Sequence, residues 1–222
     1  MASFGDATRA RVVTIGINPS RLEFLDDAGA LLKGDAARFV SLLALKCGGL
    51  SEAPREHIAR VYEGCCAYFG RHPYRRWFDQ LEEPLQALGA SYYRGSAAHL
   101  DLAHWATDPV WSKLAPADRR ALIDDGREFL SWQLAQPQLE LALVNGRTVL
   151  DAFARWSGLE WQVATEFPGL RGRAAKIYGC ALANGLRVLG WSTNVQSSFG
   201  VTKKFRHDLG STLAALQSEG AA

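Results

Sequence analysis

The pentapeptide Gly16-Ile17-Asn18-Pro19-Ser20 follows directly on the β-branched run Val12-Val13-Thr14-Ile15. Glycine lets a strand leave the core through a tight turn, and proline stiffens the loop. Asn18 precedes Pro19 and is biased towards extended geometry. Its amide can then project into a cleft and hold a water molecule. The same five residues also read as an ordinary strand-end turn, because Asn-Pro initiates turns. Neither G-x-G-x-x-G nor G-x-x-x-x-G-K-[ST] occurs, so dinucleotide and P-loop phosphate sites have no motif here.

Three other segments concentrate polar or cationic residues. In "AAHLDLAHWATDPVW" (97–111), period-two alternation puts His99 and Asp101 on one strand face. Either can read a ligand's polar edge or act as a base; His99 also reads as a satisfied core histidine. A buried unpaired carboxylate is costly, so Asp101 needs a definite partner. In "YFGRHPYRRWFDQLE" (68–82), aromatics interleave with Arg75 and Arg76. Arginine for phosphate and aromatic planes for bases is a means of gripping nucleic acid. Trp77 and Phe78 equally read as a helix's core face. In "GWSTNVQSSFGVTKKFRHDLG" (190–210), Ser and Thr hydroxyls and backbone N–H groups precede a helix start, which suits an anion. Lys203, Lys204 and Arg206 place three positive charges within four residues. Phe199 and Val201 have the character of an apolar wedge that enters a base stack, or Phe199 tucks inward beside a capped helix.

These segments must be positioned by a scaffold. Four short apolar runs read as buried strands: Arg11–Ile15, Ala97–Leu102, Leu139–Val144 and Leu186–Gly190. Helical spacing marks Asp35–Leu45, Ile58–Tyr68, Trp77–Leu88, Pro116–Leu134, Arg147–Trp156 and Lys203–Gln217. Alternating strands and helices predict an α/β fold. Its form would be a three-layer αβα sandwich around a mainly parallel, four-stranded sheet. Ligands of such sheets sit beyond the carboxyl ends of the strands. The segments 16–20, 101–108, 145–147 and 191–200 all fall there.

The chain has 222 residues, 48% hydrophobic, which suits a single domain over 1–222. A net charge of +2 does not itself imply nucleic acid, so any basic surface must be local. The four cysteines form no C-x-x-C pair and suggest a reducing, cytoplasmic setting. No signal peptide and no membrane span are expected. The five histidines are scattered, so no metal site is expected; nor is a cofactor. Asp26-Asp27 and Asp124-Asp125 are adjacent pairs that diverge in space, which disfavours paired-carboxylate hydrolysis.

Taken in order, these residues resemble the uracil-DNA glycosylase superfamily. Gly16-Ile17-Asn18-Pro19-Ser20 is most similar to the G-I-N-P-G motif of its mismatch-specific thymine/uracil branch, with Ser20 in place of glycine. Asn194-Val195-Gln196-Ser197-Ser198 stands where the superfamily carries its H-P-S or N-P-S motif, without the proline. The resemblance spans roughly residues 11 to 210 as an order of strands and motifs. It implies a monomeric DNA glycosylase that flips a base and hydrolyses its N-glycosidic bond. Asn18 would orient the attacking water and Ser197 would donate to the departing base. Gly16, Ile17, Phe24, His99, Asp101 and Asn194 would bind the base, with Phe24 stacking on it. Arg75, Arg76, Lys203, Lys204 and Arg206 would hold phosphates, and Phe199 or Val201 would fill the gap in the stack. The superfamily reads the base with an asparagine at the end of the second strand, whereas this chain has Asp101 and His99 there. Uracil, a modified pyrimidine and a deaminated purine are all open as the base. A second reading keeps the fold as a non-catalytic binder of damaged DNA or nucleotides.

Overall fold

The computed structural model describes residues 3–26, 28–49, 52–196 and 198–219. Its strands are β1 (Val12–Gly16), β2 (Ala97–Asp101), β3 (Leu141–Asn145), β4 (Gln162–Pro168), β5 (Ala174–Ala181) and β6 (Arg187–Trp191). Its α-helices are α1 (Leu42–Leu45), α2 (Arg55–Cys66), α3 (Arg75–Ala87), α4 (Pro116–Asp125), α5 (Arg127–Leu134), α6 (Arg147–Ser157) and α7 (Lys203–Glu219).

The α/β class is observed, but the sheet is not four-stranded. Its six strands run in the order β2-β1-β3-β6-β5-β4. The four expected strands form the parallel part, with β1 between β2 and β3 and with β3 beside β6. The sheet is mixed because β5 runs antiparallel to both β6 and β4. This added hairpin carries no long apolar run, since β4 is exposed at most of its positions. The helix expected over Asp35–Leu45 is reduced to a single 3-10 turn at Gly34–Ala36 and the short α1. The helix expected over Pro116–Leu134 is divided at Gly126 into α4 and α5.

Alternation along the strands builds two cores. Val12, Leu141, Leu143 and Leu189 face one side, against Phe78, Leu81 and Leu85 of α3 and Phe205, Leu209 and Leu213 of α7. Val13, Ile15, Ala142 and Val144 face the other, against Leu130 and Leu134 of α5 and Leu150 and Phe153 of α6. Helices thus cover both faces, as both-face burial of parallel strands demands. Helices α3 and α7 lie in close contact through Gly210, where an added Cβ would stand 3.0 Å from Ala87 Cβ. Arg206 Nε donates to Glu83 Oε2 at 2.9 Å, tying the first turn of α7 to α3. With Arg206 beside Glu83 and Gly210 beside Ala87, the two helices run in the same direction, so their first turns lie towards the same end. Among the described residues no helix is long and apolar enough to cross a membrane.

The strand order reverses at β1: the chain goes from β1 to β2 on one side and then crosses to β3 on the other. A crevice at the carboxyl ends of β1 and β3 is the expected ligand position in such a sheet.

Candidate functional site

A cleft of about 700 Å³ occupies that position. Gly16, Ile17 and Asn18 from the end of β1, His99 and Asp101 from β2, Asn145 from β3, and Asn194 after β6 all line it. Phe24 does not. It lines a separate cavity of about 350 Å³ with Phe39, Cys65 and His104, its ring centre 5.7 Å from that of Phe39. The aromatic rings that do line the Asn18 cleft are Trp77 and Trp111, together with the His99 imidazole.

Beyond β1 the chain stays bonded to the exit of β2. Gly16 and Ile17 carbonyls accept from Leu102 N at 3.2 Å and Ala103 N at 2.9 Å. Asn18 Nδ2 then donates to the carbonyls of Pro19 at 3.1 Å and Trp105 at 3.2 Å, with Thr107 Oγ1 at 3.5 Å. These contacts occupy the amide nitrogen. Asn18 Oδ1 makes no hydrogen bond among the described residues and is left as a neutral acceptor for a proton of a water or a ligand.

The opposite wall is organised by Asn145, which is buried and saturated. Its Oδ1 accepts from Trp191 Nε1 and Val195 N, both at 3.0 Å. Its Nδ2 donates to Gln196 Oε1 at 2.9 Å and Asn194 Oδ1 at 3.3 Å. Asn145 therefore holds the segment after β6 against the end of β3. Gln196 Nε2 donates to the Trp77 carbonyl at 3.2 Å, linking that segment to the start of α3. Gly146 (φ +100°) approaches Asn194 so closely that an added Cβ would stand 3.0 Å from its Cβ.

The floor holds the two groups expected from β2. His99 Nδ1 is 2.7 Å from Thr14 Oγ1, and Thr14 Oγ1 is also hydrogen-bonded to the Tyr92 hydroxyl. Burial raises the Tyr92 phenol far above its ordinary range, so it keeps its proton. Thr14 Oγ1 is its one hydrogen-bond partner among the described residues, so the phenol donates there. The threonine proton then goes to His99 Nδ1. The opposite polarity would leave a buried phenol proton without an acceptor, at a cost of about 1–3 kcal/mol. The chain of bonds therefore leaves the imidazole proton on Nε2, which stands 3.4 Å from Asp101 Oδ1. Neither Asp101 oxygen accepts a hydrogen bond among the described residues, although the residue is only 5% exposed.

Glu23 is a buried carboxyl absent from the residues expected at a site. Its Oε2 accepts from Tyr68 Oη at 2.7 Å and from Arg38 Nη1 at 3.4 Å. Burial pushes its pKa up to about 7, outweighing both partners. The isolated acidic residue in "SRLEF" carries no sequence signal of burial, because its partners lie 15 and 45 residues away.

The expected phosphate ligands divide into two groups. Arg76 and Lys203 are exposed in the first turns of α3 and α7. Arg75 is exposed too, with its guanidinium 4.5 Å from the ring centre of Tyr93. Lys204 pairs with Asp208 at 2.8 Å. Arg206 pairs with Glu83 and is half-buried. Phe199 is 88% exposed on the segment between β6 and α7, whereas Val201 packs against the core. Ser197 lies outside the described residues. Two arginines not expected at the site, Arg21 and Arg119, line the cleft.

No family model matches this chain, and no curated protein matches it.

Proposed function

We propose that the protein is a monofunctional DNA glycosylase. It would extrude a damaged or modified base and hydrolyse its N-glycosidic bond. The observation that carries this reading is the meeting of Asn18, the His99–Asp101 pair and the Asn194 segment in one cleft at the reversal of the sheet. Phe199 and the cations Arg76 and Lys203 are exposed, and Arg76 directly precedes the cleft residue Trp77.

The chemistry rests on these groups. Base extraction costs a few kcal/mol of stacking and pairing. A wedge in the position of Phe199 offsets part of that cost by filling the gap. Exposed cations hold the backbone and make affinity fall steeply with salt. As the bond from C1′ to the base nitrogen breaks, its electron pair leaves with the base and positive character develops on the sugar. Asn18 Oδ1 accepts from a water molecule and aims its lone pair at C1′. The water's hydroxyl ends on C1′ and its remaining proton balances the charge of the departing base. A neutral amide orients water but removes a proton weakly, so turnover is slow. Donors near the base, such as His99 Nε2–H, stabilise its developing charge.

The test is release of abasic sites from duplex and single-stranded oligonucleotides, each carrying one modified base. The reading expects alkali-labile product with at least one of them. Salt-sensitive binding without any abasic product would instead favour a non-catalytic binder on the same fold.

A further inference from the structure

The floor of the cleft offers three hydrogen-bonding groups on two neighbouring side chains. His99 Nε2–H is a donor, held in that state by the chain from Tyr92 through Thr14. Asp101 Oδ1, 3.4 Å from it, is an acceptor, and Oδ2 of the same carboxylate is a second acceptor. Both oxygens are buried and accept no hydrogen bond among the described residues. Folding has thus left a buried carboxylate with the His99 imidazole beside one oxygen and no hydrogen bond to either, an arrangement that a ligand supplying donors would complete. Gly16 lies against both groups. A Cβ there would stand 2.5 Å from Asp101 Oδ1 and 2.8 Å from His99 Nε2.

Donor–acceptor–acceptor on the protein calls for acceptor–donor–donor on the ligand. We propose that this site reads a guanine-type edge, resting on the glycosylase reading for its DNA context. His99 Nε2–H faces O6, while the two Asp101 oxygens accept from N1–H and the exocyclic N2–H. The ligand class is guanine modified on its imidazole side, which leaves that edge intact. Uracil and xanthine present acceptor–donor–acceptor and set a carbonyl against Asp101 Oδ2. Hypoxanthine lacks the second donor. Cytosine and adenine set their amino group against the His99 donor.

The experiment measures binding to duplexes holding a single non-hydrolysable 2′-fluoroarabino nucleotide opposite an abasic position, so that base pairing does not differ between probes. Guanine is compared with 1-methylguanine, hypoxanthine, xanthine and uracil on the wild-type protein. Each deletion of one donor should weaken binding roughly 10- to 100-fold, the range for a hydrogen bond to a charged group. Asp101→Asn, which replaces one acceptor by a donor, should shift preference to uracil and xanthine. Wild-type affinity for uracil or xanthine equal to that for guanine overturns the assignment, whether or not the variant folds. Abasic-site release from the natural nucleotides is followed in parallel. Guanine preference without abasic product rejects the glycosylase reading alone, and product from uracil without guanine preference rejects the edge assignment alone. Guanosine monophosphate competing as well as the oligonucleotide keeps the edge and overturns its DNA context.

Discussion

His99 and Asp101 occupy same-face positions of β2, with Nε2 of one 3.4 Å from Oδ1 of the other, and Gly16 of β1 lies against both, where a side chain would not fit. The pair is an imidazole donor beside an uncompleted carboxylate, both buried at the reversal of a parallel sheet.

Gly16 is a steric requirement of that pair. Alanine at this position would place its Cβ 2.5 Å from Asp101 Oδ1 and 2.8 Å from His99 Nε2. Such overpacking costs about 1–3 kcal/mol. For a chain of this length, thermal unfolding should move down by about 2–4 °C per kcal/mol. An unchanged melting temperature would show that the floor yields freely.

The Tyr92–Thr14–His99 chain should behave as a unit. Thr14→Val leaves the Tyr92 hydroxyl and His99 Nδ1 unpaired inside the core, at about 1–3 kcal/mol for each orphaned group. Tyr92→Phe removes only the first. The double substitution should therefore cost less than the sum of the single ones, and denaturant unfolding of the four proteins measures that coupling. Strict additivity would contradict a shared chain.

Glu23 gives the stability a pH dependence of defined sign. Its pKa is raised from 4.5 to about 7 by burial. The folded protein therefore holds a proton that the unfolded chain has already released between those values. Stability from this group is complete below about pH 4.5 and is lost as pH rises through about 7. A shift of that size corresponds to about 3 kcal/mol. Glu23→Gln, which mimics the protonated acid, should flatten the difference between pH 4.5 and pH 8 in urea unfolding curves. Parallel pH profiles for both proteins would show that Glu23 stays ionised.

Phe199 and Lys203 separate affinity from stability. Phe199 is 88% exposed, so Phe199→Ala should leave the unfolding midpoint within about 0.5 kcal/mol while weakening duplex binding. Lys203→Ala should lower the slope of log affinity against log salt by about 1. Binding unchanged in both variants would remove these two residues from the DNA surface.

The sequence made the parallel part of the sheet legible because those strands are buried on both faces and so read as continuous apolar runs. Asn18, His99, Asp101 and Asn194 were legible because strand ends in this architecture converge. The β4–β5 hairpin was not, since its exposed residues follow no buried pattern. Phe24 lay near Asn18 in sequence, but the 3-10 turn at Arg21–Glu23 separates them, and Phe24 packs beside Phe39. Thr14, Tyr92 and Glu23 were missed for one reason: their partners lie between 15 and 85 residues away, and no local periodicity records a hydrogen bond of that span.

The central claim is that Asn18 Oδ1 holds the water that attacks C1′. Its most direct test is single-turnover release of abasic sites by the wild-type protein and by Asn18→Ala, on the modified oligonucleotide that the wild type cleaves fastest. Loss of the group that positions the water should slow release by about 10²-fold with oligonucleotide affinity retained. Equal rates for the two proteins would contradict the account.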